Sequence, residues 1–275
     1  MGCLGAAGKA KWSINCFSGT AMNYGIVQRY CVLPLVAVLS FTTAAHAQRG
    51  QRGAQTPQTA RATAATDLTG TWVSVITEDW KFRMVTPRKG DYDGVPGTVE
   101  AFRLANAWDP AKDEAAGEQC KGYGAVGVMR LPGYIRISWQ DDNTLKMELT
   151  AGTQTRLFHF GSAETLSGQP TWQGYSTAQW EYAITGRGEP RKGDLKVVTT
   201  GMRPGYSRKN GIPYSANANL TEYYHVMTAP NGEKWLTVIA ELRDPQYLSE
   251  TWVVTEHFKK VPDDSRWNPE ACSAR

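Results

Sequence analysis

From Asp67 onward the chain alternates apolar and polar residues over most of its length. Successive side chains of a strand point to opposite faces, so this period of two, rich in β-branched and aromatic residues, predicts strands. Residues 70–85 read as one long or bent strand. Residues 134–140 and 144–150 flank Asp141-Asp142-Asn143 and predict a hairpin, and 154–160 continues the meander. Residues 176–184 and 194–200 flank a loop rich in Gly, Pro and Arg. Residues 220–228 and 234–242 flank Pro230-Asn231-Gly232, the strongest hairpin signal in the chain, and 251–260 reads as the last strand.

The period changes once. Residues 98–108 are helix formers with Thr98 as a cap and Asp109-Pro110 as a stop, and a short helix or turn is expected over 112–119. No parallel βαβ rhythm is present, so the expectation is a mainly β fold, a curled antiparallel sheet or barrel with one helical insertion. A two-sheet β-sandwich is the alternative. A local echo also recurs. Thr77-Glu78-Asp79-Trp80, Thr221-Glu222-Tyr223-Tyr224 and Thr255-Glu256-His257-Phe258 share Thr-Glu-x-aromatic, which reads as common strand chemistry.

The first residues change where the fold starts. Residues 31–41 are an apolar run, preceded by Arg29 and closed by Ala45-His46-Ala47, which is the order of a secretory signal. The run is too short to span a bilayer. A leader over 1–47 follows, with Met22 as a plausible true start. Residues 48–66 hold nothing apolar larger than Ala and read as a disordered linker, leaving 67–275 as a single β domain. Periplasmic or secreted localisation is expected. Of 30 Lys and Arg against 26 Asp and Glu, Lys9, Lys11 and Arg29 lie in the leader, so the remainder is nearly neutral. That argues against a nucleic-acid partner or a polybasic membrane role, and no membrane span is expected.

Cysteine usage adds one constraint. Cys3, Cys16 and Cys31 fall in the leader; Cys120 and Cys272 remain, an even pair in an oxidising compartment. A disulfide between them would close a long loop and stabilise the fold by roughly 4 kcal/mol in the chain-entropy picture. A catalytic or metal-bound thiol is the competing reading, without any Cys-x-x-Cys or Cys/His cluster behind it.

Leu68-Thr69-Gly70-Thr71-Trp72 resembles the Gly-x-Trp opening of lipocalin-like barrels, in which the Trp closes one end. Further along, Gly90-Asp91-Tyr92, Ala107-Trp108-Asp109, Glu118-Gln119-Cys120 and Thr171-Trp172-Gln173-Gly174-Tyr175-Ser176 resemble a set of uncharacterised exported bacterial proteins. Gly205-Tyr206-Ser207-Arg208-Lys209-Asn210-Gly211-Ile212-Pro213 and Asp244-Pro245-Gln246-Tyr247-Leu248 extend that likeness over nearly all of the chain after the leader. The resemblance implies a lipocalin-like barrel and carries no activity with it.

Candidate chemistry is sparse. His159, His225 and His257 each sit in a predicted strand; convergence on one metal would suit a barrel, but no His-x-His spacing supports it, and no metal site is expected. Glu78 would share a strand face with Trp72 and Trp80. If that face is interior, burial should raise its pKa and make it a general-acid candidate. Glu222 and His225 are the other acid–base candidates, although a spacing of three puts them on opposite faces of a strand. The 203–215 loop offers Tyr206, Arg208 and Asn210 as ligand-binding groups, Arg208 as a fork for a carboxylate, and Trp172 could line an aromatic pocket mouth. Phosphate-loop, nucleophile-elbow and zincin motifs are all missing, and no cofactor is called for. The expectation is an exported protein that holds a small apolar or aromatic molecule in a β-barrel cavity. The alternative is a cofactor-independent lyase, isomerase or hydrolase using a Glu or His in the same cavity.

Overall fold

The computed structural model describes residues 58–161, 169–183, 186 and 192–275; the predicted leader and residues 48–57 of the linker lie outside them. Nine strands close into a barrel: β1 (Gly70–Val75), β2 (Tyr134–Asp141), β3 (Thr144–Leu149), β4 (Gln154–Phe160), β5 (Tyr175–Tyr182), β6 (Gly193–Thr200), β9 (Asn219–Thr228), β10 (Lys234–Arg243) and β11 (Trp252–Lys260). The ring runs β1-β11-β10-β9-β6-β5-β4-β3-β2 and back to β1. The mainly β expectation holds, and the barrel replaces the sandwich alternative. The purely antiparallel expectation needs correction, because β4 and β5 pair in parallel over Phe158–Ser176, His159–Thr177 and Phe160–Ala178.

Inside the ring the alternation is used as the sequence suggests. Trp72, Ile137, Leu145, Met147, Phe158, Leu195, Val197, Tyr224, Leu236, Val238 and Phe258 point inward, each at most 1% exposed. Each large apolar side chain buried this way contributes about 1.5–3 kcal/mol. Trp72 donates its indole N–H to the Leu68 carbonyl at 2.9 Å, so the Gly70-Thr71-Trp72 opening does seat a tryptophan in the core.

Residues 70–85 are not one strand. β1 stops at Val75, Asp79 takes the left-handed conformation (φ 51°), and α1 (Trp80–Arg83) follows, turning Arg83 inward and leaving Trp80 exposed. The rest of the insertion is α2 (Val99–Ala107), α3 (Pro110–Ala115), a 3-10 turn at Gln119–Tyr123 and α4 (Ala125–Val128). Thr98 caps α2 as expected, accepting from the Ala101 N–H at 3.2 Å, and Asp109 with Pro110 opens α3. The 203–215 segment is not a plain loop but a hairpin of β7 (Gly205–Arg208) and β8 (Ile212–Tyr214). Insertion and hairpin share a second core with the barrel: Val126, Met202, Ile212 and Tyr214 pack with Leu220, Leu242 and Trp252. They cover the end of the barrel where β9 and β11 begin.

The linker expectation fails for residues 58–66. Ala60 and Ala65 are buried, the Ala60 N–H donates to Asn143 Oδ1, and Trp180 and Tyr182 donate to the carbonyls of Ala60 and Thr63. Composition predicts disorder when a segment has little to bury. Here small side chains let the backbone itself reach hydrogen-bonding partners on the barrel. Cys120 and Cys272 are joined by a disulfide, with Cα atoms 5.1 Å apart, tying the C-terminal tail to the 3-10 turn.

Candidate functional site

Two groups of buried charge mark the barrel. The first is wholly interior. Arg156 on β4 and Glu222 on β9 are at most 1% exposed, and Arg156 grips both carboxylate oxygens, with Nη1 2.8 Å from Oε1. The Tyr224 hydroxyl donates to Glu222 Oε1 at 3.1 Å, and Arg156 Nη2 also reaches Thr199, which bonds Ser176. Burial works against the charged guanidinium, but Glu222 and Tyr224 together more than offset it and the Arg156 pKa is raised.

The second group lies between the barrel end and its cover. Arg83 comes from α1, Arg130 from the turn after α4, Arg208 from the end of β7, and Glu256 from the inner face of β11. All four are at most 5% exposed. Arg83 Nη1 donates to Glu78 Oε1 at 2.6 Å and its Nε to the Arg130 carbonyl; Arg130 Nη2 donates to Asp79 Oδ2 at 2.8 Å. Arg208 is different. Its Nη1 donates to the Asp93 carbonyl at 3.0 Å, and its plane lies over the rings of Phe82 and Trp252. Its Nε and Nη2 are buried without a hydrogen-bond partner, as is Arg83 Nη2, and Arg208 makes no ion pair among the described residues. Burial, reinforced by Arg130, pushes the Arg208 guanidinium down to about 10, so it stays charged at neutral pH.

Glu256 is the counterpart among the acids. Neither carboxylate oxygen has a hydrogen-bond donor, and the nearest cation is Arg130 Nη1 at 3.8 Å. Burial pushes its carboxyl up to about 7, against the pull of Arg130 and Arg83.

Phe82, Arg83, Arg130, Leu131, Arg208 and Lys209 line a small pocket here. It leaves about 30 Å³ for the centres of water-sized groups, room for one small polar group. Arg83, Thr86, Leu131 and Lys209 also border a wider groove of about 460 Å³, walled by Tyr134 and by Arg266, Asn268 and Glu270 of the disulfide-tied tail.

The sequence-predicted residues scatter. Glu222 is interior, but its oxygens are taken by Arg156 and Tyr224. Glu78 is not on an inward strand face. It is partly exposed in the link after β1, between Arg83 and His257 Nδ1 at 2.9 Å, so the burial that would make it a general-acid candidate is absent. His225 is exposed on the outer face beside Asp194. Trp172 donates to the Pro204 carbonyl under the Arg203 guanidinium and does not share a cavity with Glu222. Tyr206 donates to Asp113, which Trp108 and Lys121 also hold. Asn210 is fully buried and pins the carbonyls of Arg88 and Asp91. Arg208 alone of the ligand-binding set lines the pocket. The histidines do not converge: His159 stacks on Tyr175, and the other two have the partners just given. Among the described residues no cluster of His, Cys, Asp and Glu could hold a metal.

Arg83, Arg130, Arg156 and Glu256 escaped the sequence reading. A signal existed for Arg156 and Glu256, since each is a charge at an inward position of an otherwise apolar strand face. The Thr-Glu-x-aromatic echo contained Glu256 as well as Glu78 and Glu222, and the structure brings Glu78 and Glu222 each within electrostatic reach of Glu256. No protein-family model, curated protein or solved structure matches the chain.

Proposed function

We propose that this protein binds a small molecule through an anionic group, seated in the arginine-lined pocket at the covered end of the barrel. The observation that carries this reading is Arg208, a buried guanidinium with two unpaired N–H groups and no acidic partner among the described residues. A buried cation without a counter-ion costs several kcal/mol, and a carboxylate or similar anion entering the pocket would offset that cost. A planar guanidinium fork suits a carboxylate, and Phe82, Val85, Pro87 and Leu131 offer apolar walls beside it. The rest of the ligand would lie in the adjoining 460 Å³ groove, a volume in the usual range for small-molecule sites.

This reading moves the ligand. The barrel interior, where an apolar or aromatic molecule was expected, is filled by side chains such as Trp72, Phe158, Met147 and Phe258. Export to the periplasm or beyond belongs to the same proposal. It is supported by the leader-like N-terminal sequence and the disulfide, and so is kinship with the uncharacterised exported bacterial set. Among the described residues no helix is long and apolar enough to cross a membrane. The test is a thermal-shift screen of small carboxylates, sulfate and phosphate against the protein and its Arg208→Met variant. Stabilisation of the parent alone is expected. Equal shifts in both proteins would place the anion elsewhere.

A further inference from the structure

We propose that Glu256 is the built-in counter-ion of the arginine pocket, and that anion binding is therefore an exchange: the ligand anion enters and one proton from solvent is taken up by the Glu256 carboxylate. This rests on the anion-binding reading above.

The geometry sets up the exchange. Arg83 is hydrogen-bonded to Glu78 and Arg130 to Asp79, so within the cluster only Arg208 and Glu256 have no hydrogen-bonded opposite charge. With Glu256 ionised, the three guanidiniums face three carboxylates and that set is neutral, while Lys209 on the pocket wall donates to the Tyr123 hydroxyl and to Arg275. An added anion would leave one negative charge in excess in a region hidden from water. Protonating Glu256 restores neutrality without moving a chain segment. The neutral carboxyl also needs less from its surroundings, because no donor is within hydrogen-bonding distance of either oxygen. Arg130 couples the two sites, since it lines the pocket and its Nη1 is 3.8 Å from Glu256 Oε1.

The groups facing Glu256 pull in both directions, with burial deciding the outcome. Arg130 and Arg83 favour the ionised form, while Glu222 on β9 and Glu78 beyond β1 oppose it, and burial opposes it most. Glu222 is already committed to Arg156 and Tyr224. β10, which lies between β9 and β11, presents only Val238 and Ala240 at this level. His257 is turned outward to Glu78. A carboxyl that titrates at about 7 in the free protein is thus poised to take up its proton when a second anion arrives.

Sulfate is the probe, because its charge does not change over the pH range needed. At constant ionic strength its affinity for the parent should fall about tenfold between pH 6 and pH 8, as expected for binding to the form protonated at Glu256. Glu256→Gln should bind sulfate equally at both pH values, and as tightly as the parent does at pH 6. Where that variant does not fold, infrared difference spectra of the parent at pH 8 supply the same answer. Adding sulfate should produce a protonated-carboxyl band. The same pH-dependent fall in Glu256→Gln, or no such band while sulfate binds, overturns the exchange and leaves the anion site standing. No sulfate binding to the parent at pH 6 removes both.

Discussion

The two groups of buried charge differ in how well they are matched. Arg156 and Glu222 meet face to face, with Tyr224 and Thr199 filling in, and only Arg156 Nε is left without a partner. At the covered end, Arg208 and Glu256 are equally buried and neither is paired by hydrogen bonds to an opposite charge. Burial alone therefore does not distinguish a structural charge from a functional one. The distinction lies in whether the protein itself supplies the partner. A matched pair holds strands in register. A mismatched pair stores free energy that an arriving molecule can release.

The largest test of this contrast is on the matched side. Arg156→Met should destabilise the fold by about 3–5 kcal/mol in urea unfolding, because Glu222 would be left buried and alone. A loss under about 1 kcal/mol would mean the pair is not the interior brace it is taken to be. On the mismatched side the sign reverses. In the unfolded chain Glu256 releases its proton near pH 4.5, whereas in the folded protein it holds it to about 7. Between those values the native state binds more protons, so stability falls as pH rises, by roughly 3 kcal/mol in all, and stays lowered above pH 7. Glu256→Gln should abolish that slope and be the more stable protein at pH 7.5, read from unfolding curves at pH 5 and 7.5. Arg208→Met keeps the packing against Phe82 and Trp252 while removing the charge. It should leave the fold at least as stable as the parent, because it removes an unpaired buried charge, while abolishing stabilisation by added anions. A large loss would reassign Arg208 to the structural class. Outside both groups, His225→Ala removes an exposed hydrogen bond with Asp194 and should stay within about 0.5 kcal/mol of the parent.

Much of the fold was legible because it depends on neighbours in sequence. Asp141-Asp142-Asn143 and Pro230-Asn231-Gly232 mark hairpins that form as expected, β2 with β3 and β9 with β10, and Thr98 marks the start of α2. The disulfide followed from there being two cysteines to pair. The error at residues 70–85 has a local cause. Trp80 and Phe82 continue the alternation of β1, but Asp79 turns the backbone left-handed, which no period reveals. The site was largely illegible because its parts come from α1, the turn after α4, β7 and β11, far apart along the chain. Each is a single Arg or Glu, unremarkable in its own neighbourhood. Only Arg208 was singled out, for its guanidinium fork in a segment rich in Gly and Pro.

The parallel seam between β4 and β5 has a cause in counting. Directions can alternate all the way round a closed ring only when the number of strands is even. This ring has nine, so one pair of neighbours must run the same way, and β4 and β5 are that pair. A relative that gained or lost a whole hairpin would keep such a seam, whereas one that gained or lost a single strand would be free of it. Among the described residues the seam holds three register pairs, fewer than any other junction in the ring. It is where the ring parts with the fewest hydrogen bonds broken. Backbone amides of residues 158–160 and 176–178 that pair across it should trade their hydrogens with solvent sooner than those in the β9–β10 ladder.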